Sequence, residues 1–432
     1  MLREKCPRDV FIAKTRQGPV NSLRMRTSEA NHSSILGEKA VSDAVRNDSG
    51  CDSPFQNATM SNLSGTEAIP RYRQILRQEL PAHYLKPDNS HLLWLVLHLA
   101  IVGGSLWLMT SFFSWWLAPL LALVIGHSFG CLGFVAHEVC HGGAIKNVKL
   151  RHFLAGLAFS PFAIGPYLWS RWHNATHHGH TQDADLDPDR LFLIDEYKEN
   201  AVLKWLYRMS PKARNFVIFS FFSLMMTQHN ITMALSYLKD PKSTTRDRAT
   251  ILFQFFLPKV LWIGLTAWMG WGVLLFGYVV PLLIGNAIVI SYISTNHFLN
   301  PLADENDVLA SSLSVTWPKW LKWVDVMHLH FGAHVAHHLF PHAPTRHARK
   351  IEQKISELWP ERYHEMRLRK ALMLLGQTPW VYASDGQSLI NPETGDVTGT
   401  LGQGLINENE EAPAEAGAKK RVRNRKLAKS NP

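Results

Sequence analysis

HLLWLVLHLAIVGGSLWLMTSFF, residues 91–113, contains no charged side chain and is long enough to cross the hydrocarbon core of a bilayer. Ser114-Trp115-Trp116 then makes a turn, and residues 117–136 are a second uncharged stretch. The two predict a membrane hairpin whose tip carries aromatic residues of the interfacial kind. A second pair follows at about 251–269 and 272–294, turning at Trp268-Met269-Gly270-Trp271-Gly272. Lys259 falls inside the third span, where a central Lys costs roughly 2.5–3.5 kcal/mol. That helix is therefore expected to start near Pro258, with the Lys259 ammonium snorkelling to the interface.

Charge sets the expected orientation. Neither turn contains Lys, Arg, Asp or Glu, whereas residues 137–250 carry Lys146, Lys149, Arg151, Arg171, Lys198, Arg208 and Arg214. Basic loops stay on the cytoplasmic side, so both chain ends and the central loop are expected there. Whether that membrane is a plasma membrane or the endoplasmic reticulum is open at this point. Two weaker apolar runs lie in the central loop. Residues 153–169 are broken by Gly156, Pro161, Gly165 and Pro166; residues 216–238 are interrupted by Gln228, His229 and Asn230.

The rest of the 432 residues frame this apolar middle with polar ends. Residues 1–66, rich in Ser, Asn, Arg and Thr, are expected to be a disordered tail. Residues 67–90 are expected to form an amphipathic approach to the first span. The domain proper covers 67–375, and 376–432 is expected to be a disordered basic tail. Lys and Arg outnumber Asp and Glu by 45 to 35, but Lys419, Lys420, Arg421, Arg423, Arg425, Lys426 and Lys429 crowd the last residues. The excess is a property of the tail and gives no reason to expect a nucleic-acid partner. Four cysteines without a CxxC exclude a disulfide scaffold and argue against a fused iron–sulfur module.

Twenty-two histidines are the other anomaly. His137 and His141 (HxxxH) follow the second span. His173, His177 and His178 (HxxxHH) lie in the central loop, and His334, His337 and His338 (HxxHH) come after the fourth span. Positions four apart share one helix face, so 137/141, 173/177 and 334/338 are each expected to grip one metal ion. The doubled histidines diverge, and each can reach a second ion. Eight imidazoles suit two transition-metal ions rather than magnesium or calcium. All three clusters lie at or beyond the same ends of the spans, so they can meet in one site. A metal transporter or a structural zinc protein could use the same residue types, but a transporter places its ligands near the midplane on broken helices.

The segments Ala136–Gly143 (AHEVCHGG), Trp172–Asp189 (WHNATHHGHTQDADLDPD) and Phe331–Pro341 (FGAHVAHHLFP) resemble the three histidine boxes of the membrane fatty-acid desaturases, integral membrane di-iron enzymes. The resemblance covers about 91–370. It implies an all-α fold in which four transmembrane helices, as two hairpins, stand under a cytoplasmic helical cap carrying the boxes. Position by position it makes His137, His141, His173, His177, His178, His334, His337 and His338 ligands of two iron ions, with no catalytic residue beyond the ligands. A further His after the fourth span is common in the family. His297 fits, with His229, His180 and His330 as competitors. The implied activity is O2-dependent desaturation of an acyl chain; the alternative is a hydroxylase or ketolase acting on an alkane, sphingolipid or carotenoid. The electrons would come from a separate ferredoxin, rubredoxin or cytochrome b5 with its reductase.

Acidic and intramembrane residues also accompany the boxes. Glu138 could orient His141, deliver a proton or face solvent. Asp183, Asp185, Asp187 and Asp189 alternate, but Pro188 and Ile194 stand where a calcium loop needs Gly and Glu, so contacts to the histidines or to headgroups are the better reading. His98 and His127 fall inside the first two spans, and His127 lies about 15 Å along the helix from His137.

Overall fold

The computed structural model describes residues 65–143, 145–303 and 307–405; the expectations for residues 1–64 and for the basic end lie outside them. The chain is mostly helical. Among the described residues, four helices are long and apolar enough to cross a membrane: α2 (His91–Ser111), α3 (Leu117–His141), α6 (Thr245–Met269) and α7 (Trp271–His297). Before them comes α1 (Gly65–Glu79), whose Tyr72 and Leu76 are fully buried. Between the pairs lie α4 (Val148–Phe159) and α5 (Pro211–Lys239). The weaker apolar runs resolve accordingly: the first breaks after α4, and the second lies within α5.

Three boundaries differ from the sequence expectation. α3 continues to His141 and α7 to His297, so the first box and His297 are carried on the membrane helices themselves. α6 runs unbroken through Pro258 from a capping box in which the Thr244 hydroxyl and the Asp247 carboxylate satisfy each other's backbone N–H. Lys259 does not reach away from the protein. Its ammonium donates to the carbonyl oxygens of Ser160, at 3.1 Å, and Phe162, which the broken chain after α4 leaves free.

α3 and α7 form the central pair. A Cβ at Gly126 would lie 2.6 Å from Ile284 Cβ, one at Gly130 3.0 Å from Ile288 Cγ2, and one at Gly133 3.2 Å from Val289 Cγ2. The three contacts advance together along both chains, so the helices run parallel, at a separation that only small residues allow. Both start beside the hairpin tips, where Trp115 packs edge-on to Phe276 at 6.0 Å. Trp116, Trp268 and Trp271 stand exposed nearby in sequence. The C-terminal ends of α3 and α7, with His137, His141 and His297, therefore share the opposite end of the pair.

The expectation of a patternless chain after residue 375 does not hold up to residue 405. β1 (Phe192–Leu193) pairs in parallel with β4 (Val381–Tyr382), which continues through β5 (Ser388–Ile390) and β6 (Val397–Gly399) as an antiparallel meander. A second small sheet pairs β2 (Ser314–Thr316) with β3 (Glu365–Arg367). These strands have two or three residues each, too few to show a period. They form because distant segments supply the partner edge.

Candidate metal centre

Four segments deliver the histidines. α3 presents His137 and His141 one turn apart. The chain then re-enters at a helical turn, Pro166–Trp169, which passes into a π-helical turn at Ser170–His177. α7 ends on His297. The short helix α8 (His334–Leu339) holds the third box. Gly332 immediately before it meets the Val315 carbonyl so closely that any Cβ would collide. The Ser314 hydroxyl then accepts from Val335 N–H at 3.2 Å. At its other end Arg73 of α1 donates to the free carbonyl of Leu339 at 2.6 Å.

All nine histidines singled out in the sequence come together, in two groups whose ligand atoms lie within 4.8 Å of one another. His137, His141, His173, His178 and His337 form one; His177, His297, His334 and His338 form the other. The doublets split as expected, one member to each group. The pairing of the second box is different. Its π turn bonds His178 N–H to His173 O at 3.0 Å, five residues apart instead of four. His173 thus shares a group with His178, their Nε2 atoms 3.2 Å apart, and His177 joins the other.

The donor set fits metal ions. Burial first, then the neighbouring imidazoles, hold His173, His178, His334 and His338 well below the ordinary imidazole value, and burial pushes His337 down to about 3. They are neutral rings with one N–H each. His173 Nε2 nevertheless faces the Nε2 atoms of both His137 and His178 at 3.2 Å, and one proton cannot serve both. A cation among the lone pairs removes the conflict. The outer nitrogens show the complementary arrangement, in which a ligating ring gives its other N–H to an oxygen. His137 Nδ1 is 3.0 Å from Glu138 Oε1, His177 Nδ1 is 3.0 Å from Asp187 Oδ1, and His297 Nδ1 is 3.2 Å from the Ser311 carbonyl oxygen. Burial works against charge on His177, but Asp187 and then Asp189 outweigh it and raise the ring to about 9.

On one side the histidines border a small apolar cavity walled by Phe134, Phe159, Phe162, Met226, Val289 and Ile293. Aromatic and aliphatic groups on one side and imidazole nitrogen on the other make a pocket wall that can take an apolar group while excluding water.

A sequence profile of the fatty acid desaturase family matches residues 113–370. The chain belongs to that family. Relatives include an sn-1 acyl-lipid omega-3 desaturase (ferredoxin) of Synechocystis sp., 27% identical over 69% of this chain and 84% of its own length. A Delta(12)-fatty-acid desaturase of Arabidopsis thaliana is 25% identical over 71% of this chain and 83% of its own. A dihydrorhizobitoxine desaturase of Bradyrhizobium elkanii is 30% identical over 30% of this chain and 36% of its own. The protein is an oxidoreductase of the fatty acid desaturase type.

Within this desaturase the competitors His180, His229 and His330 lie outside the two groups. His229 Nε2 lies 2.9 Å from Asp189 Oδ1, and His330 Nδ1 lies 2.9 Å from Asp325 Oδ2. Glu138 is buried on His137 rather than directed at His141 or solvent. Of the alternating acids, Asp187 and Asp189 approach His177, whereas Asp183 accepts from the N–H groups of Asp185 and Leu186. Three supporting residues carried no sequence signal. Gln182, at φ 62°, donates from its amide to the His297 carbonyl at 2.9 Å and to the Tyr382 hydroxyl at 2.8 Å. Thr181 Oγ1 stands 3.3 Å from His338 Nδ1. Tyr382 comes from β4, in the stretch expected to be disordered.

Proposed function

We propose that this protein is an O2-dependent fatty-acyl desaturase whose nine histidines hold two iron ions, and that its substrate is the acyl chain of a membrane lipid. The carrying observation is the pair of convergent imidazole groups beside an apolar cavity. Iron bound there supplies the reductive activation of O2 needed to break an unactivated C–H bond, a task beyond side-chain acids and bases. The protein's own groups prepare the site. Asp187, Glu138 and the Ser311 carbonyl hold the Nδ1 edges of His177, His137 and His297 and so turn the inner nitrogens toward the ions. At His177 a bound cation takes the place of the proton that the carboxylates favour. The carboxylates bring negative charge to offset the cations. Phe134, Phe162 and Val289 bind methylene groups and exclude water. The lipid substrate accords with the name of the Synechocystis relative, which also names ferredoxin; the electrons here come from a separate carrier of that kind. With four spans, bare turns and basic loops, the histidine end and the flanking segments belong on the cytoplasmic side, as a cap over the membrane.

Expression in a host with a simple lipid profile, followed by mass spectrometry of its fatty acids, tests this reading. A new unsaturated species, lost in His177→Ala, is the expected result. A hydroxylated lipid in its place would overturn desaturation in favour of oxygen insertion. No new lipid in a protein whose nine-histidine centre holds zinc in place of iron would remove the oxidative reading altogether.

A further inference from the structure

We propose that His127, Cys131 and His328 form a separate metal site, suited to zinc, outside the nine-histidine centre. His127 and Cys131 lie one turn apart on α3, and His328 follows the short helix Lys322–Met327. The Nε2 atoms of His127 and His328 are 3.1 Å apart, Cys131 Sγ is 3.9 Å from both nitrogens of His127, and the three ligand atoms lie within 4.8 Å. Tetrahedral zinc with ordinary bond lengths separates two nitrogens by about 3.3 Å, and nitrogen from sulfur by about 3.6 Å. Two imidazoles and a thiolate are a borderline-soft donor set, which selects zinc over magnesium or calcium.

The surroundings supply what a metal site needs. The Tyr292 hydroxyl lies 2.9 Å from His328 Nδ1 and accepts from Trp317 Nε1–H at 2.6 Å, so a partner for the outer nitrogen is in place. Beside the group stands His98, fully buried, with its ring 6.4 Å from that of His127. Its Nδ1 meets Ser128 Oγ at 3.3 Å, but its Nε2 has no hydrogen-bond partner. An unpartnered imidazole nitrogen in an apolar helix pair is costly, although His98 itself lies outside the three-ligand group. The competing arrangement is a hydrogen-bonded chain from Trp317 through Tyr292 and His328 to His127. That chain also takes in the Cys131 thiol, 3.9 Å from the His127 ring, but leaves His98 Nε2 unused.

Such a site would tie α3 to a segment about 200 residues further on. His328 also packs on Phe134 at 5.3 Å, and Phe331, three residues later, packs on His137 at 4.9 Å. The ion would hold the approach to the third box against the helix that carries the first.

Thiolate ligation separates this site from the nine-histidine centre, whose donors are all nitrogen. The test uses the full-length protein in detergent carrying Cys6→Ser and Cys51→Ser, stripped with a chelator and reloaded with cobalt. A thiolate-to-cobalt charge-transfer band is expected; it should vanish in Cys131→Ser and persist in Cys140→Ser, a residue that lies between His137 and His141 in the sequence. The protein as purified should carry one zinc per chain, lost in Cys131→Ser and in His328→Ala. No band in the parent protein, or a band that survives Cys131→Ser, overturns the proposal. Iron per chain, read in the same samples, reports on the nine-histidine centre independently.

Discussion

The four-histidine group and the five-histidine group are supported differently. His177, His297, His334 and His338 are all buried, and three of them have Nδ1 against a protein oxygen: Asp187 at 3.0 Å, the Ser311 carbonyl at 3.2 Å and Thr181 Oγ1 at 3.3 Å. In the five-histidine group His137 has Glu138 at 3.0 Å, and His337 Nδ1 stands 3.9 Å from the same carboxylate. His178 and His337 are half-buried. Rings fixed on both sides lose little freedom when they bind an ion; rings with one free edge lose more. The four-histidine group is thus the preorganised half, and the five-histidine group depends on number of ligands to compensate for looser support.

The largest expected effect sets one ligand of each group against the other. His334→Ala removes a quarter of the four-histidine donor set and leaves His297 Nε2, now 2.7 Å from it, without its neighbour. Desaturation should be lost, by more than the roughly 10–100-fold that follows loss of an outer hydrogen-bond partner, and about one iron per chain with it. His337→Ala leaves four imidazoles in its group, and iron content should fall less. Equal iron losses in the two variants, by elemental analysis, would show that the groups are equivalent.

The outer carboxylates sharpen the same contrast. Asp187→Asn keeps the shape beside His177 but removes the charge that secures its N–H, and should weaken iron retention against a chelator by roughly 10–100-fold. Glu138→Gln acts on the looser group and should cost less. The reverse order would place the critical support on the first box.

The histidines were legible in the sequence because box spacing is local: 137/141 and 334/338 pair as the i,i+4 rule requires. The partnership of His173 was not, since the rule assumes an α-helix, and Ser170–His177 winds as a π turn. Spans were legible from missing charge, but their ends were not. Nothing in the hydropathy distinguishes α3 residues packed on other helices from those facing lipid, so His137 and His141 looked like residues beyond a membrane helix. β4 was illegible because Val381 and Tyr382 become a strand only by pairing with Phe192 and Leu193. Gln182 and Tyr382 matter through that long-range contact, which no local pattern announces.

The smallest expected effect concerns the clamp behind α8, which feeds both groups as the second box does. Arg349 donates to both carboxylate oxygens of Asp325, at 2.7 and 2.9 Å, and to Glu352 at 2.9 Å, and Glu352 accepts from the Ser314 hydroxyl that anchors Val335. Burial raises the Glu352 carboxyl from 4.5 to about 7, although Arg349 opposes it. The folded protein therefore holds this proton more tightly than the unfolded chain does. Its contribution to stability is fully present below about pH 4.5 and is lost as the pH rises through 7. Asp325 is shifted the other way, by His330 and Arg349 against burial, and its contribution fades only below about pH 4. The buried histidines also titrate between pH 4.5 and 8, but alike in variant and parent, so the difference between their thermal unfolding curves in detergent isolates Glu352. The midpoint of Glu352→Gln should gain on that of the parent protein by a few degrees, roughly, as the pH rises, and parallel curves would show that Glu352 stays ionised beside Arg349 throughout.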